Sequence, residues 1–207
     1  MQTTPKNPIA DKFVKGIADL FRQHHQERGE AIGSLLPTID NYLFCVTTSF
    51  CKYSVDIQKN QNSAPNWTKG RPTAMRSFGL MQFEINKFLF EKHLERKNPY
   101  QPLTFAAVDF EGSRAGKWYE EHGTRNNDIH DSPHIHALSL VHPNTLEKFM
   151  EVVACPHRYM TEQMDGVTIE NFDPQKGSME NWIQYSVKGA LQNLKNDCGD
   201  YWNVFPQ

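Results

Sequence analysis

Two histidines one residue apart, His134 and His136, and a tyrosine followed three positions later by a lysine, Tyr185 and Lys188, are the residues whose types and spacing can do chemistry. In an extended strand, residues two apart share a face. Within PHIHALSLV (133–141) the two imidazoles therefore project side by side and can grip one metal ion, while Ile135 turns into a core. Two imidazoles rarely complete a metal site. The preceding apolar stretch LTFAAVDFE (103–111) offers Asp109 and Glu111, which also share a face. If the two stretches pair as a wide hairpin, one acid comes to lie beside the histidines. Glu111, at the strand end nearest the loop, is the favoured third ligand, with Asp109 as its substitute. Two nitrogens and one oxygen, with positions left for water and substrate, suit Mn2+, Mg2+ or a similar divalent ion. Such an ion polarises a phosphate oxygen and holds it for in-line attack.

Tyr185 and Lys188 share a face if 179–195 is helical. A tyrosine hydroxyl titrates near pH ~10, so it attacks phosphorus at neutral pH only with help. A metal offsets charge developing on the phosphate, and a neighbouring ammonium stabilises phosphate or tyrosinate. The product is a phosphotyrosine ester, which conserves the energy of the broken linkage and suits nick-and-rejoin chemistry better than hydrolysis.

Positioning these groups requires a particular run of elements. Residues 8–28 place Phe13, Ile17, Leu20 and Phe21 on one helical stripe. YLFCVTTSF (42–50) is β-branched and aromatic, a strand signal. Apolar residues at Phe78, Met81, Ile85, Phe88 and Leu89 predict a helix over 73–96. Strands follow at 103–111 and 134–141, a helix starts at Pro143, a strand spans 166–172, and Ser178 caps a helix over 179–195. A helix followed by β-α-β-β-α-β and a last helix describes an α+β fold with a ferredoxin-like, RRM-like antiparallel sheet and packed helices. The nucleophile sits on the C-terminal helix. The expected organisation is one domain over 1–207, with 1–35 as a helical extension and 40–195 as the catalytic core.

Composition narrows the classes. A chain of 207 residues buries a core without staples. Its four cysteines, Cys45, Cys51, Cys155 and Cys198, lack the spacing of a disulfide framework or a Cys-x-x-Cys metal site and read as small buried residues. No apolar run is long enough for a transmembrane helix, and the N-terminus lacks the order of a secretory signal. The net charge of −2 excludes a globally basic nucleic-acid binder but not a local cationic face.

The stretches PHIHALSLV and YSVK resemble motifs of the HUH endonuclease superfamily, with Ile135 as the bulky apolar residue between the histidines. LFCVTTSF resembles the apolar-then-threonine motif that opens the replication initiators of that group. Together the three span 42–190. The resemblance implies a metal-dependent enzyme that nicks single-stranded DNA, forms a 5′-phosphotyrosine and frees a 3′-hydroxyl. His134 and His136 would ligate Mn2+ or Mg2+, Tyr185 would be the nucleophile and Lys188 its phosphate-stabilising neighbour. The tyrosine follows the histidines, as in rolling-circle replication initiators and single-tyrosine transposases. Position 189 is Gly, so the two-tyrosine pattern is absent.

The implied partners are an origin in single-stranded or hairpin form and a host helicase and polymerase, within a bacterial cytoplasm. Thr47 and Thr48 would lie near the DNA. Within the loop 112–132, Arg114, Lys117, Trp118 and Arg125 interleave cations and an aromatic ring, a composition that holds phosphates and stacks bases. A transposase or recombinase of the same chemistry is the near alternative. A metal-dependent phosphoesterase is the more distant one, since a His-x-His-x-His hydrolase pattern would need a third histidine where Leu138 stands.

Overall fold

In a computed structural model of the chain, the described residues are 8–33, 36–51, 73–91, 100–110, 133–193 and 202–206. Period-two patterning is the local cause of the central sheet. In β1 (Leu43–Phe50), Phe44, Val46 and Phe50 are buried on one side while Leu43 and Cys45 face the other. β2 (Leu103–Phe110) and β3 (Pro133–Leu140) divide in the same way, with Ala106, Val108, Ile135 and Ala137 on the first side and Phe105, Ala107 and Leu138 on the second. β4 (Met164–Asn171) and β5 (Trp202–Phe205) form the two edges, and the sheet runs β4-β1-β3-β2-β5 with antiparallel pairing throughout. The inner order β4-β1-β3-β2 is that of a ferredoxin-like sheet.

Helices cover both faces. α2 (Ala74–Phe90) and α3 (Pro143–Ala154) bury Phe78, Met81, Ile85, Phe149 and Val152 against the first side. α1 (Pro8–Ala31) and α4 (Met179–Asn193) bury Val14, Ile17, Phe21, Met179, Ile183 and Val187 against the second. Local caps set the helix starts. Thr73 Oγ1 accepts from Arg76 N (3.1 Å), His142 Nδ1 accepts from Asn144 N (3.1 Å), and Ser178 Oγ accepts from Asn181 N (3.2 Å).

Three features depart from the sequence expectations. α2 ends at Phe90 rather than 96, because Glu91 takes a left-handed backbone (φ 51°) that a helix cannot continue. α1 buries Val14 and Ala18, whereas Leu20 of the expected apolar stripe is exposed. α1 is also more than an extension, since Phe21 is fully buried and Arg28 donates to the carbonyls of Gln101 (2.7 Å) and Leu140 (3.2 Å). The third is β5, a four-residue strand beyond 195 that pairs with β2 and brings Trp202 to within 4.9 Å of Phe13.

No described helix is long and apolar enough to cross a membrane. Cys45 and Cys155 are free thiols, and burial pushes the Cys45 thiol up to about 12.

Candidate metal centre and adjoining tyrosine

Antiparallel register builds the site from three neighbouring strands. Across β2 and β3, Asp109 pairs with His134 and Ala107 with His136; across β1 and β3, Thr47 pairs with His136. Asp109, His134 and His136 thus meet on the α1–α4 side of the sheet. Asp109 Oδ2 lies 3.6 Å from His134 Nε2 and 3.9 Å from His136 Nε2, and the two imidazole rings stand edge to face at 4.8 Å. One donor atom from each of the three lies within 4.8 Å of the others, so the group could hold a metal ion. The Asp109 side chain is fully buried, His136 nearly so, and His134 is 22% exposed, so the cluster opens toward solvent past His134. A carboxylate taken wholly out of water is costly unless opposite charge or hydrogen bonding compensates it. Two imidazoles and one carboxylate fit a divalent transition ion in this respect as well as in donor type.

α4 brings the tyrosine to the same place. Met179, Ile183 and Val187 turn inward onto the face of β2 that carries the small Ala107, and the fully buried Ser186 hydroxyl donates back to Trp182 O (2.9 Å). Tyr185 then falls at the margin of the buried stripe. It is 47% exposed, with its ring 5.1 Å from that of His136. Trp182, one turn earlier, presents its ring edge-on to His136 at 6.0 Å. The Arg22 guanidinium bonds Glu180 and ties α1 to the first turn of α4, holding the Glu180 carboxyl below its ordinary value.

The structure therefore gathers His134, His136, Asp109 and Tyr185 into one cluster. Among the described residues the acid of the group is Asp109; Glu111, the favoured ligand in the sequence, lies outside them. Arg114, Lys117, Trp118 and Arg125 also lie outside the described residues, and for Lys188 only the backbone, on α4, is described. Thr47 reaches the cluster, with Oγ1 3.3 Å from His136 Nδ1. Thr48 does not. It is fully buried on the opposite face, beside Ile135 in the β1–β3 register, where no ligand reaches its side chain. Sequence reasoning missed Trp182 as a wall of the site, although its three-residue spacing from Tyr185 carried the signal.

No protein-family model, no curated protein and no solved structure matches the chain.

Proposed function

We propose that the protein is a metal-dependent enzyme that nicks and rejoins single-stranded DNA through a covalent phosphotyrosine. The observation that carries this reading is the exposed Tyr185 set against a buried Asp–His–His cluster, its ring 5.1 Å from that of His136. A hydrolase needs only the cluster and a water. An aromatic hydroxyl on a rigid helix beside the cluster is what a covalent route adds.

Asp109, His134 and His136 would hold the divalent ion, which when bound supplies positive charge to a non-bridging phosphate oxygen. The Tyr185 hydroxyl would attack phosphorus, losing its proton as the new O–P bond forms. The bond from phosphorus to the 3′ oxygen breaks, and that oxygen leaves as a hydroxyl after taking up a proton. A 5′-phosphotyrosine on Tyr185 and a free 3′-hydroxyl result. Attack by a 3′-hydroxyl reverses the step and rejoins the strand. Packing of α4 through Ile183 and Val187 keeps the tyrosine oriented, so that little freedom is lost on reaching the reactive geometry. Lys188, one turn further along α4, is assigned to the phosphate.

Initiation of rolling-circle replication is the biological role this chemistry and the motif order favour, with transposition by the same steps as the alternative. The test is incubation with end-labelled single-stranded oligonucleotides and Mn2+ or Mg2+, followed by denaturing gels and peptide mapping. A metal-dependent, SDS-resistant adduct that maps to Tyr185 is expected. Cleavage without an adduct would point to a phosphoesterase. An adduct on another residue would overturn the assignment of the nucleophile.

A further inference from the structure

Thr47 lies on β1, a strand that contributes none of the three candidate ligands, yet its hydroxyl is 3.3 Å from His136 Nδ1. We infer that Thr47 is a positioning residue for the metal centre: its hydroxyl accepts the Nδ1 proton of His136 and so leaves the Nε2 lone pair facing Asp109 and the ion. The inference rests on the metal reading of the cluster and deepens it.

A neutral imidazole carries one proton on either of two nitrogens, and only the nitrogen without it can ligate. In His136 the nitrogen on the Asp109 side is Nε2, 3.9 Å from Oδ2. Ligation through Nε2 therefore places the proton on Nδ1, where the nearly buried ring needs an acceptor close at hand. Register supplies it, because Thr47 and His136 are direct cross-strand partners. A β-branched side chain in a strand has restricted χ1, so its hydroxyl is held in place before any metal arrives. Hydroxyl, imidazole and carboxylate then stand on β1, β3 and β2 in turn, and the hydroxyl holds the rotation of the ring so that Nε2 faces the carboxylate. Hydrogen-bond partners of this kind on the far nitrogen of a ligating histidine set its tautomer and basicity, and their loss weakens metal binding about 10- to 100-fold. Thr48, on the opposite face, cannot take over the role.

Two substitutions separate this role from packing. Thr47→Val keeps the shape and β-branching but removes the acceptor; Thr47→Ser keeps the hydroxyl. Calorimetric titration of the full chain with Mn2+, in the absence of DNA, is expected to show Thr47→Val binding about 10- to 100-fold more weakly than wild type, with Thr47→Ser within about threefold of it. Long-range 1H–15N NMR of the metal-free proteins is expected to show His136 protonated at Nδ1 in wild type and in Thr47→Ser, and shifted toward the Nε2-protonated form in Thr47→Val. Equal Mn2+ affinity for Thr47→Val and wild type would overturn the role of Thr47 while leaving the metal centre standing. Failure of wild type to bind Mn2+ would remove the metal reading and this inference with it.

Discussion

Asp109 and His134 face each other across β2 and β3, with Oδ2 3.6 Å from Nε2 and the carboxylate fully buried. The pairing joins the acid strand to the histidine strand and decides which donor atoms converge. A buried carboxylate oxygen beside two imidazole nitrogens is a donor set that could hold a metal ion.

Asp109→Asn keeps the shape and removes the charge. The metal-free protein is expected to melt at or above the wild-type temperature, since a buried charge has gone. Saturating Mn2+, which at 100 times its dissociation constant stabilises a one-site protein by about 2.7 kcal/mol, is expected to raise the melting temperature of wild type but not of the variant. Differential scanning calorimetry with and without Mn2+ checks both halves.

Tyr185→Phe removes the hydroxyl of a half-exposed residue and leaves the ring against His136. Stability is expected to change by less than about 0.5 kcal/mol and Mn2+ affinity to stay near wild type, while the DNA adduct disappears. Retention of the adduct in denaturing gels would mean that another residue attacks.

His142 gives the fold a pH dependence. Burial, together with the nearby Arg28 and His24, lowers this histidine to about 4, against about 6.5 in an unfolded chain. Between those values the unfolded state binds more protons, so stability is fully present above pH ~6.5 and is lost as pH falls toward about 4. The loss is at most about 3 kcal/mol. Urea unfolding in chelator at pH 7.5, 5.5 and 4.5 is expected to show a shallower pH slope for His142→Asn, which can still cap α3 through its side-chain oxygen.

Phe21→Ala tests whether α1 belongs to the domain. The ring is fully buried in the core beneath α1 and α4, so truncation is expected to cost about 3–5 kcal/mol by equilibrium denaturation. Removal of residues 1–33 is expected to give aggregated protein, because Phe105, Leu140 and Ile183 would lose their cover. A well-folded deletion variant in circular dichroism and size-exclusion chromatography would contradict the packing.

Much of this molecule is legible from local pattern. Alternation in LFCVTTSF and HIHALSLV reports strands because side chains two apart share a face, and the same rule placed His134 beside His136 and sent Ile135 to the core. Ser178 and Pro143 marked helix starts because capping depends on a few neighbouring atoms. The β-α-β-β-α-β order followed, and with it the ferredoxin-like core of the sheet. The rule also sets Thr47 and Thr48 on opposite faces. Which of the two faces the histidines depends on how β1 and β3 pair, and that register is a long-range property.

Tertiary structure alone decided the rest. Among the described residues, pairing of β2 with β3 set Asp109 opposite His134. β5 is four residues long, too short to announce itself by period, and exists because β2 offers it an open edge. Arg28 on α1 is buried because two carbonyls from distant segments, Gln101 and Leu140, receive it. Tyr185 meets His136 only because α4 packs on the face of β2 that carries Ala107. The sequence by itself determined which residues could do chemistry and which elements carry them, because those depend on side-chain type and short-range geometry. Packing and register determined which of them meet, because contacts between residues tens of positions apart arise only when the whole sheet and its two helical layers are in place.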